Sequence, residues 1–355
     1  MLIRARPLLA ALGVALLSAL VASGVTLAVL RLEARTNPQS VDIRPGATIS
    51  EDSAIIQAAA RAKPAVVSIV TQQEPQLVAG SGYLVTSDGY IVTSIDVIAG
   101  SAQLTVLLPS DTKLHDARLI DYDCQTAVAV LKIDQVNGLP TLAFGDPAAV
   151  VAGQPLVAVA GPLRGGGVTR GIVRALHLPV TITDPTSPDK TIQISDTIQT
   201  DAVIDGDTAG GPLLNVGGQV IGVAMPGEPG GSAYGLNTAD IQDDVQQILQ
   251  NGQITVPWLG AATNDLSAQV AALQKLPQGS LVDTVTPGSP AAGAGLQPGD
   301  VITALDEVQL DAAHPLTLLL RSQFHIDQRV TVTYTRNGVS SQVQLTLAGQ
   351  HPTCG

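Results

Sequence analysis

The chain has few aromatic residues: they make up 2% of its 355 residues, with a single tryptophan, although 45% of the residues are hydrophobic. A core therefore has to be built from valine, leucine, isoleucine and alanine. Basic residues are also few and scattered, and the formal net charge is −12. Because a phosphate backbone would be repelled by this charge, the composition argues against a nucleic-acid partner.

Cysteine is nearly absent as well. Cys124 and Cys354 are far apart in the sequence, and no cluster of cysteine and histidine has the spacing of metal ligands. A disulfide is possible in an oxidising compartment, but two lone thiols are the preferred interpretation. Asp201, Asp205 and Asp207 are better read as a solvated acidic turn than as a calcium site, which needs six to eight oxygens. We therefore expect neither metal nor cofactor.

The longest uncharged segment lies at the N-terminus. Arg4 and Arg6 precede residues 7–30, which carry no charge, and Arg31 follows them. This length suits a helix that crosses about 30 Å of hydrocarbon, although a cleaved signal peptide is the alternative. We predict a cytoplasmic segment over 1–6, a membrane anchor or signal over 7–30 and a linker over 31–54. The remainder lies outside the cytoplasm, on the periplasmic or outer face of a bacterial membrane.

Short strands dominate the rest of the chain. Between residues 55 and 252, two series of about six runs rich in valine, isoleucine and leucine, among them 90–94, 168–176 and 220–225, alternate with turn signals, and a helix follows over 240–249. This pattern predicts a double β-barrel, although a β-sandwich gives a similar one. Between residues 256 and 350 we predict a strand over 259–263, then a loop, and further strands over 279–285, 301–305, 329–336 and 339–347. Two helices lie among them, over 291–294 and 314–323, and the Asn337-Gly338 pair marks a hairpin. The second unit is therefore a small α+β domain.

Four motifs carry a resemblance to a known family. Residues 199–215 read QTDAVIDGDTAGGPLLN, residues 88–98 read DGYIVTSIDVI, and residues 123–133 read DCQTAVAVLKI. Residues 286–302 read TPGSPAAGAGLQPGDVI. Together these segments resemble the HtrA-type serine proteases, which join a chymotrypsin-like double β-barrel to a PDZ domain. The resemblance covers residues 55–350 and implies a mainly β chain.

The resemblance also identifies three positions that differ from the family. Asp96 stands where the family has its histidine, Ala127 where it has the aspartate, and Ala209 where it has the serine. Alanine has no oxygen to attack a peptide, and an aspartate with a pKa near 3.9 is a poor base at neutral pH. Asp207 replaces the glycine of the oxyanion loop, and Thr208 is the one hydroxyl beside Ala209. We therefore predict that the chain is not an enzyme.

The PDZ resemblance implies a peptide site. Residues 257–261, PWLGA, resemble the loop that binds a terminal carboxylate through backbone N–H groups. An extended peptide would pair with the strand that follows, and its last side chain would enter an apolar pocket. The predicted binding residues are Trp258, Leu259, Gly260, Ala261, Leu316, Leu319 and Leu320. Each leucine could equally serve the core.

The sequence supports two functional hypotheses. In the first, a membrane-anchored pseudoprotease binds the C-termini of unfolded proteins and acts as a scaffold, chaperone or regulator. The resemblance also implies a homotrimer or heterotrimer. In the second, an active serine-type endopeptidase of envelope quality control uses catalytic residues other than those of the family.

Overall fold

A computed structural model describes residues 51–355 except 74–75, 102, 185–188, 190, 228–231, 312–313 and 353–355. The predicted anchor over 7–30 lies outside the described residues. Among the helices that the described part contains, none is long and apolar enough to cross a membrane. A transmembrane helix is therefore not confirmed.

The first barrel closes through six antiparallel strands in the order β1-β2-β3-β6-β5-β4. Helix α1 (Glu51–Ala62) precedes it, and the short helix α2 (Ile95–Ile98) follows β3. The strands are β1 (Val66–Gln73), β2 (Gln76–Leu84), β3 (Tyr90–Ser94), β4 (Leu104–Leu107), β5 (Leu114–Asp123) and β6 (Val128–Ile133). Every residue of β6 is buried: alternate side chains of a barrel strand face its interior, and the outward-facing ones of β6 are covered by neighbouring parts of the protein.

The second barrel closes in the order β10-β11-β12-β9-β8-β7. Its strands are β7 (Pro155–Val159), β8 (Val168–Thr183), β9 (Thr191–Thr200), β10 (Pro212–Leu214), β11 (Val220–Met225) and β12 (Ala233–Asn237), and helix α3 (Thr238–Asn251) follows. Asn237 caps α3 by accepting a hydrogen bond from the N–H of Ala239, and Gly252 ends it in a left-handed conformation. The double β-barrel is thus confirmed, and the sandwich alternative is excluded.

The C-terminal unit is a sheet in the order β14-β15-β16-β18-β19, with β17 paired to β16. Its elements are β14 (Ala261–Leu266), α4 (Ala268–Gln274), β15 (Gly279–Val285), α5 (Pro290–Gly293), β16 (Val301–Leu305), β17 (Val308–Gln309), α6 (Leu316–Gln323), β18 (Arg329–Arg336) and β19 (Val339–Thr346). Strand β14 lies at one edge of this sheet. Its outer backbone groups are therefore available to another strand.

A separate two-stranded ladder joins the start of this unit to its end. Strand β13 (Val256–Trp258) pairs with β20 (Ala348–Gln350). Strand β20 was not predicted, and the predicted strand over 259–263 is replaced by β13, a turn and β14. Gly260 lies in that turn with φ +97°. A left-handed residue breaks the ladder there, which is the physical reason for the difference.

The two cysteines also differ from expectation. Cys124 is buried and disulfide-bonded, so the interpretation as a lone thiol was wrong for this residue. The chain's other cysteine, Cys354, lies outside the described residues.

Candidate functional site

The cleft between the two barrels brings together the three positions that the motifs single out. The N–H of Ile95, at the start of α2, donates to the carbonyl of Ala127 at 2.9 Å, and Asp96 follows Ile95. Gly80 packs against α2, and a Cβ added to it would lie 3.2 Å from the carbonyl oxygen of Ala209. Asp96 and Ala127 therefore lie close together in the first barrel, and the loop that carries Ala209 packs beside them.

Asp96 is the one ionisable group among the three. Burial raises its pKa above the ordinary aspartate value, and the nearby Ser94 hydroxyl opposes this shift only in part. Neither Asp96 Oδ1 nor Ser94 Oγ has a hydrogen-bond partner within the part of the chain that the structure describes. Because its pKa is raised, Asp96 is a better proton acceptor near neutral pH than an aspartate with the ordinary pKa.

The loop before Ala209 is held by Asp205. The N–H of Ala209 donates to the carbonyl of Asp205 at 2.9 Å, so this N–H is already engaged and does not point free into the cleft. Thr208 Oγ1 donates to Asp205 Oδ1 at 2.8 Å. Asp207 lies 3.4 Å from Arg164 Nε. Asp205 and Asp207 of this loop thus have protein partners.

The histidines do not supply a base to this cleft. Four of the five side chains hydrogen-bond an aspartate: His115 with Asp111, His177 with Asp196, His314 with Asp311 and His351 with Asp121. Among the described residues, no histidine hydrogen-bonds a serine or threonine hydroxyl. A Ser–His pair of the trypsin kind is therefore not assembled here.

The second candidate site is the turn between β13 and β14. The carbonyl of Leu259 accepts from the N–H of Ala291 at 2.8 Å, and that of Gly260 accepts from the N–H of Thr286 at 2.9 Å. Ser289 Oγ also donates to the Gly260 carbonyl, at 2.9 Å. By contrast, the N–H groups of Leu259 and Gly260 donate to no other described residue. Two buried donors without a partner are costly, which makes the turn a candidate site for a hydrogen-bond acceptor.

A cavity of about 370 Å³ lies beside this turn, between β14 and α6. Trp258, Leu259, Ala261, Leu316 and Leu320, all predicted binding residues, line it. Gly260 shapes the turn through its positive φ, but it does not line the cavity. All three predicted binding leucines of α6 are buried in the core of this unit, and Leu319 does not line the cavity.

Three further residues of this region were missed by sequence reasoning. Gln125 from the first barrel, Arg321 from α6 and His351 from the C-terminal segment all line the cavity. The guanidinium of Arg321 forms ion pairs with Asp123 and Asp244, which are both fully buried. No local pattern signals these contacts, because the partners are remote in the sequence.

Comparisons with known proteins match both parts of the described chain. A family model described as a trypsin-like peptidase domain matches residues 80–223, and a PDZ domain model matches residues 257–347. The "Serine protease Do-like HtrA" of Lactococcus lactis is 34% identical over 288 residues, which cover 76% of this chain and 68% of the relative. The chain belongs to the HtrA family.

Other relatives and solved structures extend this result. A Halomonas elongata protein named "Probable periplasmic serine endoprotease DegP-like" is 34% identical over 76% of this chain and 56% of its own length. The solved structure titled "HtrA-type protease AlgW with decapeptide" is 26% identical, covers 84% of this chain and 99% of its own, and has a TM-score of 0.66. The complex of AlgW with a tripeptide has a TM-score of 0.65 at 28% identity.

These comparisons overturn one prediction. We predicted from Asp96, Ala127 and Ala209 that this HtrA-family chain is not an enzyme, but its relatives are named serine proteases and point to a protease. The prediction was wrong because the loss of the serine, histidine and aspartate side chains excludes only the triad mechanism. Other hydroxyl groups remain as nucleophiles. Thr208 keeps such a hydroxyl, bonded to a carboxylate, directly beside Ala209.

Proposed function

We propose that this HtrA-family protein binds the C-termini of polypeptides outside the cytoplasm, in the groove between β14 and α6. The observation that carries the proposal is the pair of unpartnered N–H groups at Leu259 and Gly260, beside an edge strand. A terminal carboxylate offers the acceptors that these donors lack. The peptide's backbone would extend the sheet along β14, and its last side chain would contact Leu316 and Leu320.

Trp258 provides a direct test, because it is the one tryptophan of the chain and lines the cavity. We expect a six-residue peptide with an apolar last residue and a free carboxylate to change the Trp258 emission on titration. The same peptide with a C-terminal amide should bind at least about tenfold more weakly, which corresponds to about 1.4 kcal/mol. Equal affinities for the two peptides would reject carboxylate recognition.

A matched pair of leucine variants tests where the peptide lies. Leu320→Ala shortens a side chain that lines the cavity, whereas Leu273→Ala alters a leucine of α4 that is 84% exposed. The first change should weaken peptide binding and the second should leave it unaltered. If both variants bind as the parent protein does, the peptide occupies another surface.

The second candidate function is a serine-type endopeptidase of envelope quality control, which the names of the relatives favour. In this chain Thr208 is the candidate nucleophile, because its hydroxyl is bonded to Asp205 and adjoins Ala209. The purified protein would then cleave unfolded casein and react with a fluorophosphonate probe, and Thr208→Ala would abolish both. Ser101→Ala, on an exposed turn, serves as the control. A protein that neither cleaves nor reacts would reject this candidate.

Export of the chain is part of the proposal. Residues 7–30 would anchor or direct it, and the relative with a periplasmic name supports a location beyond the cytoplasm. Trimer formation remains a prediction from the family resemblance. Alkaline phosphatase fused after residue 352 should be active in intact bacteria, because this enzyme needs an oxidising compartment for its disulfides. Activity only after lysis would contradict export.

A further inference from the structure

Part of the wall of the peptide groove is formed by residues that do not belong to the PDZ sheet. Strand β14, helix α6 and the turn at Gly260 form three sides. Strand β13 and Thr286 also contribute, and further lining comes from Gln125, which belongs to the first barrel, and from the C-terminal residues Gln350, His351 and Pro352. The cavity is therefore composite.

The position of the barrel along the groove follows from the direction of α6. At the first residue of α6, the N–H of Leu316 donates to Asp265 Oδ1 at 3.4 Å, and Asp265 lies near the end of β14. Arg321, one and a half turns later, must then lie towards the beginning of β14. The barrel residues that Arg321 pairs with therefore meet the groove at its Gly260 end, where a terminal carboxylate would bind.

Gln125 is fixed at this end. Its N–H donates to Asp123 Oδ1 at 2.7 Å, and Asp123 is one of the two partners of Arg321. Its side chain is half-buried, lines the cavity and makes no hydrogen bond within the described part of the chain. Arg321 is engaged by two carboxylates, so at this end the amide of Gln125 is a side-chain donor that can meet a bound carboxylate.

The C-terminal segment is held at the same end. Strand β20 pairs with β13, which leads into the Gly260 turn. His351 Nε2 lies 2.6 Å from Asp121 Oδ1, and its ring meets Tyr122 edge-on. The other oxygen of Asp121 accepts from the N–H of Ile254 at 2.7 Å. These contacts anchor His351 to both the barrel and the strand before the groove.

From this geometry we infer that Gln125 and His351 close the carboxylate end of the groove and determine its specificity. On this inference, a chain that continues past its last bound residue meets the wall that Gln125 and His351 form. The groove thus accepts free C-termini and excludes internal segments, and the Gln125 amide donates a hydrogen bond to the bound carboxylate. This inference rests on the proposed peptide-binding function.

The test compares the binding of two peptides to the full-length protein, with Trp258 emission as the readout. One peptide ends in a free carboxylate, and the other has the same sequence extended by two glycines. The parent protein should bind the extended peptide at least about tenfold more weakly. In the double variant Gln125→Ala/His351→Ala, the ratio of the affinity for the free peptide to that for the extended peptide should fall towards one. The control Gln344→Ala/His325→Ala, with both changes away from the cavity, should keep it.

A variant that changes only charge gives a second test, which holds even if the double substitution disturbs the C-terminal segment. Gln125→Glu keeps the size of the side chain but places a negative charge beside the bound carboxylate, so it should weaken the free peptide about tenfold and leave the amidated peptide unaffected. Gln344→Glu should change neither affinity. Equal binding of the free and extended peptides by the parent protein, or no effect of Gln125→Glu, overturns the inference. If neither peptide binds at all, the proposed function fails with it.

Discussion

At the scale of single residues, the sequence motifs single out three positions but do not determine their chemistry. Asp96, Ala127 and Ala209 are identified by their alignment with ordered motifs, and the structure places the backbone around them close together. Thr208 is expected to hydrogen-bond a neighbour in its loop, but which neighbour, Asp205, depends on how the loop turns. Inactivity was inferred from residue types alone, and that inference failed.

Asp96 gives a prediction about pH. Because burial raises its pKa in the folded state, its protonation favours folding, and this contribution is lost as the pH rises above the ordinary aspartate range of about 4. Asp96→Asn removes the charge. We therefore expect the variant to exceed the parent protein in stability by roughly 1–3 kcal/mol at pH 7 and by less at pH 4.

Thermal unfolding at the two pH values measures this difference. Asp116→Asn is the matched control, because the same change of charge is made on an exposed strand residue. A stability gain for Asp96→Asn that is larger at pH 4 than at pH 7 would contradict the assigned direction.

At the scale of elements, strand prediction succeeded where hydrophobic runs end at clear turns. The bounds of β3, β11, β15, β16 and β18 were all predicted from such runs. Strand β8 was predicted to end at residue 176 but continues to Thr183. His177 has φ +55° and Pro179 follows it, so the sequence signals a break, yet pairing with β9 resumes beyond them. Tertiary pairing overrides the local signal there.

Weak local patterns explain what was missed. Strand β20 has the sequence AGQ, without a β-branched or aromatic residue, and it forms because β13 offers a partner. Helix α4 lies in a segment that we assigned to a loop. Its cap was a usable signal, because Ser267 Oγ accepts from the N–H of Val270.

The turn at Gly260 gives a prediction at this scale. In Gly260→Ala the new Cβ would overlap the side chain of Ser289, and the residue would be strained at its positive φ. We expect the turn to shift and peptide binding to weaken at least about tenfold. Gly288→Ala is the control, because its φ is also positive but no atom lies within 4 Å of its added Cβ.

Peptide titration and thermal unfolding of the two variants separate strain from overlap. Both should lose about 1 kcal/mol or more of stability through backbone strain. Only Gly260→Ala should lose peptide affinity. Undiminished affinity in that variant would show that the turn is not part of the binding site.

At the scale of the whole molecule, Arg321 joins the two units. Its guanidinium pairs with Asp123 at the end of β5 and with Asp244 on α3, and Thr126 Oγ1 also donates to Asp244, at 3.2 Å. The family resemblance predicted both units but not this junction, since it depends on residues that no motif includes. Removing one partner of a buried ion pair leaves uncompensated charge, which is strongly destabilising.

Arg321→Ala should therefore lower the free energy of unfolding by about 3–5 kcal/mol. It should also divide a single calorimetric transition into two, because the barrel and the PDZ unit lose the contact that makes them unfold together. Arg329→Ala, an exposed residue of β18, should change neither quantity. One unaltered transition in Arg321→Ala would show that the remaining contacts suffice.

Strand β14 has a consequence for handling this protein without a ligand. While the groove is empty, a row of main-chain donors and acceptors stays open to any extended segment, including that of a neighbouring copy. Crowded, ligand-free preparations are thus prone to edge-to-edge association. A peptide paired with β14 occupies these backbone groups and therefore reduces such association.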